Sequence, residues 1–94
     1  MALLNETERN EKLKKLDGWQ FLNNQIEKEF KLNDFKSALS FINKIGEEAE
    51  NMDHHPDITI HSYNKVKITL STHSEGGVTN RDFNLAEKIE NLNQ

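Results

Sequence analysis

The longest hydrophobic pattern in the chain predicts a helix over residues 35–52. Asp34 precedes this stretch as a good N-cap, and Pro56 requires the helix to end ahead of it. Gly46 interrupts the stretch at a cost of about 1 kcal/mol relative to alanine, which we attribute to a closely approaching backbone. Apolar side chains recur at the three- and four-residue intervals of one helix face: Phe35, Ala38, Leu39, Phe41, Ile42, Ile45, Ala49 and Met52.

Two further helices are predicted near the ends of the chain. Residues 5–16 are strongly charged, with Asn5 or Thr7 as N-cap and only a thin apolar edge. Residues 79–82 resemble a capping box in which Asp82 replaces the usual glutamate. The helix that follows should turn five side chains inward: Phe83, Leu85, Ala86, Ile89 and Leu92.

Alternation of apolar and polar residues predicts two β-hairpins. The first joins residues 19–22 to residues 25–32 through Asn23-Asn24, although the Glu and Lys content of residues 25–31 also suits a helix. The second hairpin spans residues 58–72 and turns at Asn64-Lys65. Its predicted core face carries Ile58, Ile60, Val66, Ile68 and Leu70.

The order helix, hairpin, helix, hairpin, helix predicts an α+β fold. The simplest packing is a single four-stranded antiparallel sheet with about three helices on one face, within one domain over residues 1–94. The other sheet face is then partly polar and open to a partner or a second subunit. We expect a homodimer or homotetramer, because a core this small gains from added burial.

Composition narrows the classes of function. The 94 residues carry a net charge of −4, so no direct nucleic-acid ligand is expected. Cysteine is absent, which excludes disulfides, thiolate zinc sites and a cysteine nucleophile. No signal peptide and no membrane-spanning run are recognisable in the sequence. A cytoplasmic location is therefore predicted.

Four histidines within twenty positions, His54, His55, His61 and His73, are the candidates for chemistry. An imidazole titrates near neutral pH, so each ring can give or take a proton. Pro56 fixes a helix-to-strand corner beside the first two rings, and the second hairpin should return His73 to that corner. This arrangement predicts a metal-free proton-transfer site.

Other uses of these residues are weaker. The imidazoles, with Asp53, Asp57 or Glu50, could hold zinc or iron, but no H-E-x-x-H motif or i, i+4 histidine pair is present. A serine nucleophile lacks its G-x-S-x-G turn. Glu50 and Asp82 could orient the rings, or belong to an acidic helix face and a helix cap.

The spacing resembles a known family. The motif Glu50-x₃-His54-His55-Pro56-x₆-Tyr63-x₉-His73-x₈-Asp82 is similar to the signature of pterin-4a-carbinolamine dehydratases. Gly18-Trp19, the Asn64-Lys65-Val66 segment and the Thr72-His73 pair ahead of a glycine-containing loop extend the similarity over nearly the whole chain.

This resemblance implies the same α+β fold and a dehydratase activity. The reaction removes water from 4a-hydroxytetrahydrobiopterin and gives quinonoid dihydrobiopterin during tetrahydropterin recycling, without a cofactor or metal. His54 and His73 would form the acid/base pair, and His55 would bind substrate and support proton transfer. The pocket would also be lined by Pro56, Thr72, Ser74 and Glu75, and the supporting carboxylates would be Glu50 and Asp82.

The resemblance also implies a second role. Some animal members act as dimerisation cofactors of a homeodomain transcription factor, through a helix shared with their tetramer interface. A transcription-factor partner would add a nuclear location to the cytoplasmic one. This role should survive alanine at the three site histidines, whereas catalysis should not.

Overall fold

The computed structural model describes residues 2–93, so Met1 and Gln94 at the ends of the predicted domain lie outside it. Its four strands form one antiparallel sheet in the order β1-β2-β4-β3, which confirms the predicted α+β fold. The elements in chain order are α1 (Glu6–Leu13), β1 (Gln20–Leu22), β2 (Gln25–Lys31), α2 (Phe35–Met52), β3 (Asp57–His61), β4 (Lys65–Leu70), a 3₁₀ turn (His73–Glu75) and α3 (Asn80–Leu92).

The core lies between the helices and one face of the sheet. Strand β4 is central, and its Val66, Ile68 and Leu70 are fully buried as predicted. Ile58 and Ile60 are half-buried because β3 is an edge strand. The helices add Ala38, Phe41, Ile45 and Ala49 from α2 and Phe83, Leu85, Ala86 and Ile89 from α3.

Hydrogen bonds attach the first hairpin and the residues before it to α3. The indole N–H of Trp19 donates to Glu90 Oε1 at 2.8 Å, and the Lys28 ammonium donates to the same oxygen and to the Asp17 carbonyl. Trp19 is itself buried and meets Phe30 edge to face. One half-buried carboxylate therefore holds the N-terminal hairpin against the last helix.

The first hairpin matches its prediction, and residues 25–31 are a strand rather than a helix. Asn23 and Asn24 both adopt positive φ, the geometry that a two-residue hairpin turn requires and that asparagine tolerates. The predicted first helix is wrong in length. It begins after Asn5, whose side chain caps it, and ends at Leu13; tighter turns then carry Leu16 into the core.

The second hairpin turns at residues 62–64, so its predicted turn at Asn64-Lys65 is wrong. Ser62 and Tyr63 take positive φ, while Asn64 is buried. The Asn64 amide donates to the Leu32 carbonyl, and the Leu32 N–H donates to the Asn64 carbonyl. Asn64 therefore ties the hairpin to the end of β2, and Lys65 already belongs to β4.

Gly46 also departs from its predicted explanation. A Cβ at this position would meet nothing within 4 Å outside the adjacent turns of α2, so no other backbone segment of residues 2–93 approaches it closely. The apolar stripe of α2 is wider than its buried face, because Phe35 and Leu39 are 50% and 42% exposed. The outward side of α2 is thus partly apolar and has no partner within residues 2–93.

The other sheet face is polar, as predicted. Lys67 pairs with Glu27 at 3.3 Å, and His61 bonds to Glu29. This hydrogen bond from His61 holds the pKa of the Glu29 carboxyl below its usual value. Exposed ion pairs of this kind add little stability, so the face is suited to solvent.

Asp34 provides a test of the predicted helix start. Its side chain accepts from the Ser37 N–H at 2.7 Å, and this bond lowers the pKa of the carboxyl. Because the pKa of Asp34 is lower in the folded chain than its unfolded value of 3.8, the ionised carboxylate stabilises the fold at pH values above 3.8. This stabilisation is lost as the pH falls through the pKa of the folded chain. We expect Asp34→Ala to lower the melting temperature at pH 7 and the difference to shrink below pH 3.8.

The matched control is Asp34→Asn, since asparagine keeps an accepting side-chain oxygen but lacks the charge. Its melting temperature at pH 7 should lie between those of the wild type and Asp34→Ala, and its difference from the wild type should shrink below pH 3.8. An Asp34→Ala deficit that stays constant from pH 7 to pH 2.5 would contradict the role of the carboxylate.

Candidate active site

A buried histidine–carboxylate pair lies where α2 meets α3. His54 is 7% exposed and Asp82 is fully buried, and His54 Nε2 lies 2.6 Å from Asp82 Oδ1. The second carboxylate oxygen accepts from the Thr72 hydroxyl and from the Thr79 N–H, both at 2.9 Å. Because the carboxylate accepts from both neighbours, the network assigns the remaining proton to His54 Nε2, which donates to Oδ1.

Asp82 is also the helix cap that its position predicts. It is the third residue of α3 and completes a capping box with Thr79. The two roles proposed for Asp82 from the sequence, helix cap and partner of a site histidine, are therefore both present in one side chain. The helix start fixes the carboxylate, and the carboxylate fixes the ring.

The end of α2 directs His54 inward. Asp53 adopts a left-handed conformation with φ of 50°, and the His54 N–H donates to the Ala49 carbonyl to close the helix. Arg81 then clamps this end to α3, because its Nη2 donates to the carbonyls of Met52 and Asp53 at 3.0 and 2.8 Å.

His54 keeps one nitrogen for other partners. Within residues 2–93 its Nδ1 makes no hydrogen bond, and this atom is not fully buried. Nδ1 therefore reaches solvent while Nε2 is held by Asp82. A ring fixed in this way can take a proton at Nδ1, and the carboxylate then stabilises the imidazolium.

His55 points the other way. Its side chain is 60% exposed and bonds to Glu50, which is 75% exposed. Glu50 thus contacts His55 in solvent, where such a pair contributes little to stability. Pro56 follows, half-buried, and leads into β3.

His73 lies on a short loop beyond β4. Thr72 and Gly77 pair across its base, and the 3₁₀ turn between them carries His73, Ser74 and Glu75, all exposed. The His73 side chain has no hydrogen bond within residues 2–93. The Thr72 hydroxyl, predicted to line a pocket, is buried and engaged with Asp82 and Thr79.

The strand register brings these groups to one edge of the sheet. Asp57 opposes Thr69, so residues just before β3 lie beside residues just after β4. Thr72 and His54 both donate a hydrogen bond to Asp82, which joins the two segments. His61 is elsewhere, on the polar sheet face with Glu29.

Two residues of this site were not predicted to belong to it. Thr79 was recognised only as a helix cap, yet its hydroxyl lies 2.8 Å from that of Thr72. Arg81 is an ordinary charged residue in the sequence, and its carbonyl contacts depend on the meeting of two helices. A capping motif that follows a histidine loop could have indicated Thr79, but nothing local indicated Arg81.

The described residues contain no group of three or more His, Asp or Glu side chains arranged to hold a metal ion. None of the helices in residues 2–93 is both long and apolar enough to cross a membrane.

Comparison with known proteins decides the family. The model of the family described as pterin 4 alpha carbinolamine dehydratase matches residues 2–92. The chain belongs to this family. The family predicted from the sequence is thereby confirmed.

Curated relatives agree over nearly their full lengths. A protein of Sulfurisphaera tokodaii is 48% identical over 98% of both chains, and one of Sulfolobus acidocaldarius is 46% identical over 95% of this chain and 97% of its own. Both are provisionally named pterin-4-alpha-carbinolamine dehydratases.

Solved structures support the fold. A Brucella melitensis protein described as a transcriptional coactivator/pterin dehydratase superposes with a TM-score of 0.90 at 43% identity, covering 95% of this chain and 96% of its own. A pterin dehydratase-like protein described as a RuBisCO assembly factor of the alpha-carboxysome gives 0.64 at 19% identity, covering 79% and 84%. The second likeness concerns the fold alone.

Replacing Asp82 by asparagine tests the buried network. An amide presents one oxygen and one N–H₂ group, so either one of the three present donors faces another donor or His54 must move its proton from Nε2 to Nδ1. We expect Asp82→Asn to lower the free energy of unfolding by about 1–3 kcal/mol, the usual cost of an unsatisfied buried group. Urea denaturation measures this change.

The surface residue Asp57, at the start of β3, supplies the matched control. Asp57→Asn should change the free energy of unfolding by no more than about 0.5 kcal/mol. Equal effects of the two substitutions would contradict the importance of the Asp82 network.

Proposed function

We propose that this protein is a 4a-hydroxytetrahydrobiopterin dehydratase that works by histidine acid/base catalysis. The single observation that carries the proposal is the buried His54–Asp82 pair, whose imidazole offers one nitrogen outward at the edge where the His73 loop also lies. Family membership supports the dehydratase activity. The substrate and its place in tetrahydropterin recycling are part of the proposal.

The reaction needs two proton transfers. The C4a–O bond breaks as the hydroxyl leaves with an added proton as water, and N5 loses its proton to give the quinonoid product. His54 suits the second transfer, because Asp82 holds a proton on Nε2 and leaves Nδ1 to accept one. His73 is exposed and free to protonate the hydroxyl, with His55 supporting it.

The other site residues have supporting roles in this proposal. Pro56, Ser74 and Glu75 would contact the pterin, and Thr72 would act through its bond to Asp82. Glu50 would orient His55. The reaction involves no redox change, so this mechanism calls on no cofactor and no metal.

Histidine variants test the mechanism. We expect His54→Gln and His73→Ala each to slow loss of the 4a-hydroxyl group by roughly 10²–10⁴-fold, the usual contribution of a positioned acid or base. Glutamine can still donate to Asp82, so His54→Gln separates proton transfer from folding. The assay follows chemically generated 4a-hydroxytetrahydropterin by absorbance.

His61→Ala is the matched control, since this exposed histidine lies on the polar sheet face with Glu29. It should retain wild-type turnover. A wild-type protein that does not accelerate the reaction over buffer would overturn the enzymatic proposal, and equal activity in all variants would overturn the histidine mechanism.

A second function is favoured by one relative. The Brucella melitensis protein described as a transcriptional coactivator/pterin dehydratase is 43% identical, and α2 of the present chain exposes Phe35 and Leu39. A role as a dimerisation cofactor of a transcription factor would use such a surface. Partner binding that persists in His54→Gln and His73→Ala would support this role, which can be present with or without the enzymatic activity, and absence of partner binding by the wild type would contradict it. The cytoplasmic and nuclear locations stay predictions.

The same surface supports a homo-oligomer. Phe35 and Leu39 lie one helical turn apart, and the space that a side chain at Gly46 would occupy farther along α2 is empty. Contiguous exposed apolar side chains commonly mark interfaces. We expect sedimentation equilibrium at micromolar concentration to give a dimer or tetramer, and Leu39→Glu to shift the protein toward smaller species.

Asn84→Glu adds the same charge at an exposed position on α3 and should leave the mass unchanged. A wild-type mass equal to that of the monomer would contradict the oligomer.

A further inference from the structure

The loop that carries His73 is held by its backbone and not by the histidine. The Thr72 N–H donates to the Gly77 carbonyl at 2.8 Å, and the return bond from the Gly77 N–H measures 3.4 Å. Since the His73 side chain has no hydrogen bond within residues 2–93, the direction of its ring depends on how firmly this base is fixed. On one side the base is fixed by the Thr72 hydroxyl, which donates to Asp82.

The other side of the base is covered by residues that precede α1. The Leu4 N–H donates to the Val78 carbonyl at 3.0 Å, which attaches the N-terminal segment next to Gly77. The end of the half-exposed Leu3 side chain lies close to Gly77, since a Cβ added there would be 3.0 Å from Leu3 Cδ2. Glycine at position 77 thus leaves room for this leucine.

The N-terminal segment is itself anchored. Arg9 Nη1 donates to the Leu4 carbonyl at 3.4 Å, and the guanidinium carbon lies 3.8 Å from the centre of the Phe21 ring. Asn5 caps α1 immediately after Leu4. Both backbone polar groups of Leu4 are therefore hydrogen-bonded, the N–H to the loop base and the carbonyl to Arg9, whose guanidinium lies over Phe21 of β1.

We propose that Leu3 and Leu4 form a clasp that fixes the base of the His73 loop, so that these two residues position His73 for proton transfer. The clasp is defined as Leu3 and Leu4 with their contacts to Gly77 and Val78. Its catalytic consequence rests on the proposed dehydratase function, but its effect on the loop does not. Residues about seventy positions apart in the sequence thereby act on one ring.

Leu4→Pro removes the clasp hydrogen bond, because proline has no N–H. Leu4→Ala is the matched control, since it shortens the side chain and keeps the donor. We expect Leu4→Pro to speed hydrogen exchange at the Thr72 and Gly77 amides by roughly 2- to 10-fold over Leu4→Ala, the factor for one lost hydrogen bond. The imidazole proton signals of His73 should broaden or double in Leu4→Pro alone.

A second pair of variants tests the packing half of the clasp without proline. Gly77→Ala places a methyl group against Leu3, so exchange at Thr72 should rise. The effect should be smaller when Leu3→Ala has already removed the conflicting side chain, because contacting residues are not additive. Additive effects would show that Leu3 and Gly77 are uncoupled and would overturn this part of the clasp.

Turnover separates positioning from general stability. Leu4→Pro should lower kcat by about 10-fold, as misplacement of an acid/base group does, while KM changes little. Leu32 is half-buried and directly follows β2, so Leu32→Ala should lower the stability of the protein without loss of the clasp. It should retain kcat at a temperature well below its melting point.

The outcomes are distinguishable. Unchanged amide exchange and unchanged His73 signals in a folded Leu4→Pro variant would overturn the clasp. Faster exchange with wild-type kcat would overturn the positioning of His73. If the wild type itself shows no turnover, the proposed dehydratase function fails, and the exchange and imidazole signals still decide whether Leu3 and Leu4 hold the loop.

Discussion

The structure depends on the buried carboxylate of Asp82. It accepts hydrogen bonds from Thr79, Thr72 and His54. This one side chain therefore caps α3, holds the segment that follows β4 and orients the imidazole at the end of α2. Burying a carboxylate costs free energy unless its oxygens accept hydrogen bonds or pair with a cation. That requirement forces three distant segments together, and the candidate site is the place where they meet.

The four histidines show how environment separates chemically identical groups. His54 is buried and fixed by a carboxylate, while His55 and His73 are exposed at the same edge, and His61 faces away on the polar side of the sheet. A buried, fixed ring and solvent-exposed rings are suited to different proton transfers. The outward sides of α2 and of the sheet differ likewise: one is partly apolar and the other is covered with ion pairs.

Local patterns predicted those elements whose signals are themselves local. The stripe of α2, its Asp34 cap and its end before Pro56 match the structure, as do the Asn23-Asn24 turn and the capping box of α3. The first helix and the second turn were placed wrongly. Leu16 is drawn into the core by packing, and Asn64 is committed to Leu32 across the sheet. Neither contact is visible in the neighbouring sequence.

The fold class, the family and the candidate histidines could be recognised from the amino-acid sequence, because periodicity, capping residues and motif spacing are properties of short segments. Long-range packing was needed to show which histidine is buried, that Asp82 serves both its helix and His54, and that Arg81 and Leu4 attach the segments beside the site. These outcomes depend on contacts between residues 28 to 74 positions apart, and no local preference encodes such contacts.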